Sequence, residues 1–239
     1  MDEMEQAILE GIPDLADLPG AAAWFAAGLS ALRALPPSPE VEASFRPMPV
    51  AGALGEAGPP FHRYGDLAFR KLVLATLLAD HACYPVPADQ VRLDRLLNVM
   101  HGFPAGFRLW WAALPGMGWL PVGYTGWFPI AGVTFEILET RAGELQDRSL
   151  PVLPSVDPRG SFVYLFNYSL VGALQRTVCS RRLLGALADD IAALPLAGLA
   201  AITVSEGGIR VAERFGMRRS GEIVVEGAPD HVYTRRIAR

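Results

Sequence analysis

The order of structural elements in residues 162–217 constrains the fold more than any other feature of the sequence. Residues 162–171 read FVYLFNYSLV, an apolar and aromatic run that predicts a buried strand. A turn rich in arginine follows, and apolar residues then recur at helical spacing over residues 183–194. Residues 199–204 predict a second strand, and residues 205–217 predict a short helix. Few folds use this order of strand, turn, helix, strand and helix.

The turn after the first of these strands has the features of an anion site. Gln175 opens the segment QRTVCS, which leads into the helix. The first N–H groups of a helix have no intrahelical acceptor, so they can bind phosphate oxygens. Arg176, Arg181 and Arg182 surround the turn, and guanidinium groups bind phosphate through charge-assisted hydrogen bonds. The sequence therefore predicts a phosphate site, and the plainer alternative is an ordinary turn before a solvated basic helix.

A second pattern occupies the short helix near the C-terminal end of the chain. A polar residue, three small residues and an apolar residue are spaced along it, and these are Ser205, Gly208, Ala212, Gly216 and Met217. A glycine directly after a helix predicts a stop through a left-handed turn. That explanation accounts for the glycine at 216 but not for the spacing of the whole run.

These two segments resemble the acyl-CoA-binding half of the GNAT acyltransferase family. The family has Q/R-x-x-G-x-G/A at the first helix and often N-x-x-A-x-x-x-Y-x-x-x-G-F after the fifth strand, and these two segments keep the same spacing. The resemblance as a whole covers about residues 64–239. Val178 and Ser180 replace the small residues of the first motif, and a β-branched valine does not readily adopt positive φ. Ala212 replaces a tyrosine that often protonates the leaving thiolate, so any proton donor must lie elsewhere.

The resemblance implies an α/β (α+β) fold with a mixed, largely antiparallel sheet, splayed open between its fourth and fifth strands and flanked by helices. It also implies acetyl-CoA or another acyl-CoA as co-substrate, with the pantetheine arm pairing with the fourth strand and the diphosphate at the turn. The residues that it implies for donor binding are Leu170, Val171, Gln175, Arg176, Thr177, Val178, Cys179, Ser180, Arg181, Arg182 and Ser205.

Direct attack of an amine on the thioester is the implied reaction, and it needs positioning and removal of a proton. Tyr168 is a candidate donor to the leaving sulfur, because a phenol pKa of about 10 suits that step. Glu136 and His81 are the candidate bases. The plainer alternatives are a core tyrosine with a satisfied hydroxyl, a solvated glutamate on a helix and an isolated histidine. Residues 161–171 contain no acid, although many members of the family have a glutamate there.

Cys179 stands at the start of the helix beside two arginines. A thiol in such a position is expected to have a lowered pKa, and in principle it can accept an acyl group. The simpler account is a small side chain in a tight turn. Cys83 and Cys179 form neither a disulfide framework nor a zinc pattern, so both are expected to be free thiols in a reducing compartment.

Composition disfavours several classes of function. The chain has 21 Lys plus Arg against 25 Asp plus Glu, a net charge of −4, so no global basic field attracts nucleic acid or anionic lipid. No basic leader precedes an apolar segment, and no apolar run reaches the roughly 18 residues of a membrane span. The four histidines are isolated and show no metal-ligand spacing. We therefore expect a cytoplasmic protein that uses no metal.

The rest of the chain predicts a helical N-terminal extension and further elements of the sheet. The expected elements are two helices within residues 4–35, the second from about 21, a strand within 45–54, helices at 64–83 and 89–100, a hairpin of 107–114 and 119–130, an ambiguous segment at 132–145, and a closing pair at 218–226 and 231–237. We divide the chain into an extension, residues 1–60, and a GNAT-like domain, residues 61–239. The extension is expected to cap the acceptor side or to form a homodimer.

Adjacent Trp110 and Trp111 must face opposite sides of a strand, so one is expected at the outer layer or a substrate cleft.

Three functions follow from the resemblance and its departures. The first is an acyl-CoA-dependent N-acyltransferase that acts on an amine of a small molecule or peptide. The second is an acyltransferase that takes its acyl group from an acyl carrier protein, where the altered turn would meet only phosphopantetheine. The third is a catalytically silent GNAT-like binding protein.

Overall fold

The structure is a computed structural model that describes residues 3–13, 17–35, 39–53, 67–145, 150–225 and 227–237. Its helices are α1 (Glu3–Gly11), α2 (Leu18–Ala34), α3 (Pro39–Ser44), α4 (Val50–Ala53), α5 (Leu67–Cys83), α6 (Leu93–Gly102), α7 (Gly132–Thr140), α8 (Val178–Ala192) and α9 (Glu206–Arg214). Its strands are β1 (Arg46–Pro49), β2 (Phe107–Leu114), β3 (Gly118–Ile130), β4 (Ser161–Leu170), β5 (Leu196–Thr203), β6 (Arg218–Val225) and β7 (Ala228–Arg236).

The strands form one seven-stranded sheet in the order β1-β2-β3-β4-β5-β7-β6. Strands β1 and β2 are antiparallel, as are β5 and β7 and also β6 and β7, whereas β4 and β5 are parallel. The parallel pair follows from the helix α8 that connects its two strands. The predicted fold class, a mixed and largely antiparallel sheet with flanking helices, is confirmed.

Strand β4 extends beyond its pairing with β5. The paired residues run from Ser161↔Leu196 to Leu165↔Ala201, while β4 itself continues to Leu170. Residues 163–165, which lie in the paired stretch, are buried, and residues 166–168, directly after it, are half-buried. Ser169 and Leu170, at the end of the strand, are buried again, so only residues 166–168 of the unpaired part are partly accessible.

The described residues divide into two compact units, and the first comprises residues 1–125 and 168–185. Its core includes helix α5, whose apolar residues occur on all sides and whose residues Phe69, Leu72 and Leu74 are fully buried. Trp110 and Trp111 are also buried, with exposed fractions of 2% and 0%. The expectation that one of these tryptophans reaches the outer layer or a cleft is therefore wrong, because both faces of β2 are covered at this point.

Several boundaries in the first unit differ from the sequence prediction. Helix α2 begins at Leu18, earlier than expected, because the Asp17 side chain accepts the Gly20 N–H at 3.1 Å and Pro19 is tolerated in a first turn. The expected start of a helix at Asp89 is wrong, since residues 87–89 form a separate short turn and α6 begins at Leu93. The strand within 45–54 is limited to β1 and is followed by α4. Residues 64–66 of the helix predicted at 64–83 lie outside the described residues.

The second unit comprises residues 126–167 and 186–239. Its ambiguous segment is the helix α7. The ring of Phe135 on this helix stacks on that of Phe162 on β4, with centroids 4.5 Å apart. The Arg236 guanidinium lies over both rings and is 2.5 Å from a carboxylate oxygen of Glu139. A Cβ at Gly198 would lie 2.9 Å from each ring, so glycine is required for this packing.

The predicted hairpin and the predicted end of the last helix are confirmed. Strands β2 and β3 lie within one residue of the expected bounds. Gly216 has φ of 73°, the left-handed conformation expected of a glycine that ends a helix. Among the described residues, no helix combines the length and the apolar character that a membrane span requires.

Candidate functional site

The predicted phosphate turn connects the end of β4 to the start of α8. A single turn of 3-10 helix covers residues 172–174, and Gln175 is extended. Arg176 then adopts φ of 62°, and it is the one residue other than glycine with positive φ in the described part of the chain. The chain needs its left-handed residue here, two positions before Val178, which is the first residue of α8. Valine at 178 is therefore compatible with the local backbone, although the family has glycine at that place.

Two main-chain groups predicted to meet the pantetheine arm already have protein partners. The side-chain amide of Gln175 donates to the main-chain carbonyl of Leu170 at 2.8 Å. The Val171 N–H donates to the Val122 carbonyl of β3, also at 2.8 Å. Because a carbonyl oxygen has two lone pairs, a ligand can share the Leu170 carbonyl with Gln175. Gln175 therefore connects the end of the strand to the turn.

Thr177 caps the N-terminus of α8. Its hydroxyl donates to the Leu174 carbonyl at 2.7 Å and accepts the Cys179 N–H at 3.1 Å. The Ser180 hydroxyl donates to the Thr177 carbonyl at 2.8 Å. A cap of this kind satisfies one of the first-turn amides and leaves those of Val178 and Ser180 without an intrahelical acceptor. These two amides are the ones that the helix can offer to an anion.

The three arginines of the turn have different surroundings. Arg182 donates to the main-chain carbonyl of Glu42 at 3.0 Å and lies 5.7 Å above the ring of Phe45. Arg176 and Arg181 are exposed, and within the described ranges neither forms a hydrogen bond or an ion pair. Two guanidinium groups are therefore available at the turn, while the third is engaged by α3 and by Phe45, which follows it.

Cys179 is fully buried in this turn. Burial raises the pKa of its thiol, and the nearby Glu42 carboxylate raises that pKa further, while the Thr177 hydroxyl and the Arg182 guanidinium lower it. The expectation of a lowered pKa is wrong, because the loss of solvent outweighs the positive charge and the helix start. Cys179 is a small core side chain, as the simpler account held.

The candidate catalytic residues lie in both units. Tyr168 on β4 is half-buried and belongs to the first unit, as does His81, an exposed residue of α5 whose Nε2 is 3.2 Å from the Val91 carbonyl. Glu136 is exposed on α7 in the second unit. Ser205, also in the second unit, caps α9 by accepting the Gly208 N–H at 3.1 Å. The roles of these residues remain predictions.

A buried polar network in the first unit was not anticipated from the sequence. Asp80 on α5 is fully buried, and its carboxylate accepts the Tyr124 hydroxyl at 2.7 Å and the Val91 N–H at 2.8 Å. Burial, followed by the charge of Asp80, raises the pKa of Tyr124 well above its usual value. Burial also raises the pKa of the nearby Cys83 thiol to about 12. The available signal was that Asp80 is the single acid of the largely apolar helix α5.

Possible metal ligands do not cluster in the part of the chain that the structure describes. No group of three or more histidine, cysteine, aspartate or glutamate side chains is arranged there to hold an ion.

Solved structures share this fold. One is the loading GNATL domain of CurA from Lyngbya majuscula, with a TM-score of 0.51 and 13% sequence identity, covering 80% of this chain and 97% of that domain. Another is the NatC complex bound to Gag peptide and CoA, with a TM-score of 0.50 and 9% identity, covering 82% of this chain and 99% of the matched chain. The sequence matches no protein-family model, and no curated protein matches it. The chain therefore has the GNAT fold.

Proposed function

We propose that the chain is an N-acyltransferase that moves an acetyl or longer acyl group from CoA to an amine of a small molecule or peptide. The observation that carries the proposal is the turn after β4, where a 15-residue helix begins beside two exposed arginines that have no partner within the described residues. A helix start of this kind favours anions, and guanidinium groups add charge-assisted hydrogen bonds.

In this proposal the diphosphate of the donor contacts the first-turn amides of Val178 and Ser180. Arg176 and Arg181 neutralise its charge from the exposed side. The arm of the donor lies along the part of β4 that extends beyond its pairing with β5. Tyr168, half-buried in that part of the strand, is the proposed proton donor to the leaving sulfur. The amine attacks the thioester carbon, the carbon–sulfur bond breaks, and a base removes the proton of the amine.

The binding of acetyl-CoA tests the donor site. We expect isothermal titration calorimetry to detect binding by the wild type and at least about tenfold weaker binding by the Arg176→Ala, Arg181→Ala double variant, because charge-assisted hydrogen bonds contribute about 1.5–3 kcal/mol each. The matched control is the Arg210→Ala, Arg214→Ala double variant on α9, which removes the same charge from another helix. Equal affinity of the turn variant and the wild type would remove these arginines from the site.

The release of CoA tests the reaction. We expect free thiol to appear when the protein, acetyl-CoA and a panel of arylalkylamines and peptides with free α-amino groups are combined. Because Ala212 stands where the family often has its acid, a silent binding protein is the competing outcome. Binding of acetyl-CoA without release of thiol from any amine in the panel would refute the proposed reaction.

A carrier-protein donor is the second candidate, and the capped helix start favours it. The Thr177 hydroxyl occupies the Cys179 N–H, so fewer amides are available for a diphosphate than in an uncapped turn. A phosphopantetheine arm has one phosphate and needs fewer donors. Thermal stabilisation by CoA alone supports the first candidate, whereas stabilisation only by an acylated carrier protein supports the second.

The division of the chain near residue 60 and the role of the segment before it are also proposals. Strand β1 precedes that boundary and pairs with β2, with Arg46 opposite Trp111. We therefore propose that only the segment before β1 is an addition to the acyltransferase domain. A homodimer formed through this segment and a cytoplasmic location remain proposals of the same kind.

A further inference from the structure

We infer that Arg182 is a positioning residue for the donor turn, because its guanidinium fixes the start of α8 to α3 and to Phe45 in the segment before β1. Binding of the acyl donor is thereby coupled to the docking of that segment. The inference rests on the proposed function, since it assigns a role at the proposed donor site. It concerns a side chain that the proposed chemistry does not use.

The first step is the contact between α8 and α3. Arg182 is the fifth residue of α8, and its guanidinium donates to the main-chain carbonyl of Glu42 at 3.0 Å. The same guanidinium lies 5.7 Å from the centre of the Phe45 ring, within the range in which a cation is attracted to an aromatic face. Glu42 belongs to the last turn of α3, where the carbonyl groups carry partial negative charge and favour a cation.

The second step is the attachment of α3 to the sheet. The Ser44 hydroxyl at the end of α3 accepts the Ala113 N–H of β2 at 2.9 Å. The ring of Phe45 is fully buried and stacks on that of Trp110 in β2, with centroids 4.7 Å apart. The chain then continues directly into β1, which pairs with β2. The guanidinium therefore connects α8 to a surface that is itself fixed on β2.

The third step is the division of the start of α8 between two sides. Cys179 lies three residues before Arg182, so the two side chains share one side of the helix. Burial is the largest cause of the raised pKa of the Cys179 thiol, and the Glu42 carboxylate adds to it, so this side lies close to α3. Arg181 is exposed and has no partner within the described residues. Contacts with α3 thus hold one side of the helix start, while the guanidinium of Arg181 remains available to an anion.

The coupling follows from the rigidity of the helix. The amides of Val178 and Ser180, which are proposed to contact the diphosphate, move with α8, and hydrogen bonds weaken steeply as their angles depart from linearity. Loss of the Arg182 contact is therefore expected to weaken donor binding although no contact to the donor is removed. Because linkage is reciprocal, a donor that binds best when α8 is seated on α3 must stabilise that seating to the same extent.

The test compares Arg182→Met, Phe45→Leu, the double variant that combines them and the control Arg33→Met. Methionine keeps an unbranched side chain over the ring but has no hydrogen-bond donor. Leucine at 45 removes the aromatic face and leaves the charge of Arg182 in place. Arg33 is an exposed residue in the last turn of α2, so its substitution removes the same charge from another helix of the first unit. The measurements are calorimetric affinity for acetyl-CoA and hydrogen exchange of two main-chain amides.

We expect Arg182→Met to weaken the binding of acetyl-CoA at least about fivefold, the lower end of the usual range for coupled sites. Phe45→Leu should weaken it in the same direction, although it changes no charge. The double variant should lose less affinity than the product of the two single factors, because both substitutions interrupt the same contact. Arg33→Met should bind acetyl-CoA as the wild type does.

Hydrogen exchange tests the coupling in the wild type, and it serves as the test if Arg182→Met does not fold. The Ala113 N–H donates to Ser44 of α3, so this amide should exchange more slowly when acetyl-CoA is bound. The Val91 N–H, which donates to Asp80 on α5, reports general stabilisation of the same unit and should slow by a smaller factor.

Three results overturn the inference while leaving the proposed function intact. The first is an Arg182→Met variant with wild-type affinity for acetyl-CoA. The second is a double variant whose loss equals the product of the single factors, which would indicate that Arg182 contacts the donor itself. The third is equal slowing of the Ala113 and Val91 amides by acetyl-CoA. Failure of the proposed function is distinguished by the wild type, which would then bind no acetyl-CoA.

Discussion

At the scale of single residues, the two cysteines are held protonated by burial rather than activated. The pKa of Cys83 is raised to about 12 from a usual value of 9.0, with burial as the largest cause, and Cys179 is shifted in the same direction. A group with a raised folded-state pKa contributes stability that is complete below its unfolded pKa and is lost as the pH rises towards the folded value. The thiol of Cys83 should therefore lower the free energy of unfolding as the pH rises from 9 to about 12.

We predict that the free energy of unfolding of the wild type falls as the pH rises from 8 to 10, because the unfolded thiol then ionises and the folded one does not. The Cys83→Ala variant should lose less stability over the same interval. Urea unfolding at the two pH values measures the difference. Thr76→Val, which removes no titrating group, should follow the wild type, and identical slopes for wild type and Cys83→Ala would contradict the prediction.

At the scale of elements, the close approach of β3 to β4 determines the geometry beside the proposed donor site. Gly123 leaves no room for a side chain against the main chain of Ser169 and Leu170. Gly172, just after β4, has nothing within 4 Å of the position where its Cβ would lie. Two glycines near the same end of β4 therefore have opposite tolerance for a methyl group.

We predict that Gly123→Ala destabilises the protein by about 1–3 kcal/mol, the usual cost of overpacking, and weakens binding of acetyl-CoA by moving β4. Gly172→Ala should leave the stability unchanged, because no protein atom lies within 4 Å of the added methyl group. Thermal unfolding and calorimetry on both variants measure these effects. A Gly123→Ala variant with wild-type stability would show that the two strands can separate at no cost.

At the scale of the whole molecule, the element order was predictable because each element depends on its own sequence. The run of apolar residues in β4, the glycine after α9 and the turn between β2 and β3 are local patterns. The partners of Arg182 and Tyr124 were not predictable, because Glu42 lies 140 residues from Arg182 and Asp80 lies 44 residues from Tyr124. The burial of both Trp110 and Trp111 was missed for the same reason, since it depends on what covers each face of β2.

The segment before β1 contributes some of its described residues to the core of the first unit. Phe45 is fully buried, its ring stacks on Trp110 at 4.7 Å, and Arg182 lies over it. We predict that Phe45→Ala lowers the free energy of unfolding by about 3–5 kcal/mol, as expected for a buried phenylalanine. Leu18→Ala, at a residue that is 44% exposed in the same segment, should change it by no more than about 0.5 kcal/mol. Denaturant titration of the two variants measures both changes in the free energy of unfolding. Equal changes would show that residue 45 is not part of the core.

Arg182 contacts the main-chain oxygen of Glu42, and this affects how the two positions can vary during evolution. Every amino acid has that oxygen, so the residue at position 42 can be substituted while the hydrogen bond is kept. A saturation library should accept most residues at 42 and few at 182. A search for covarying charged pairs among related sequences would then miss this interaction, because its acceptor is a main-chain atom.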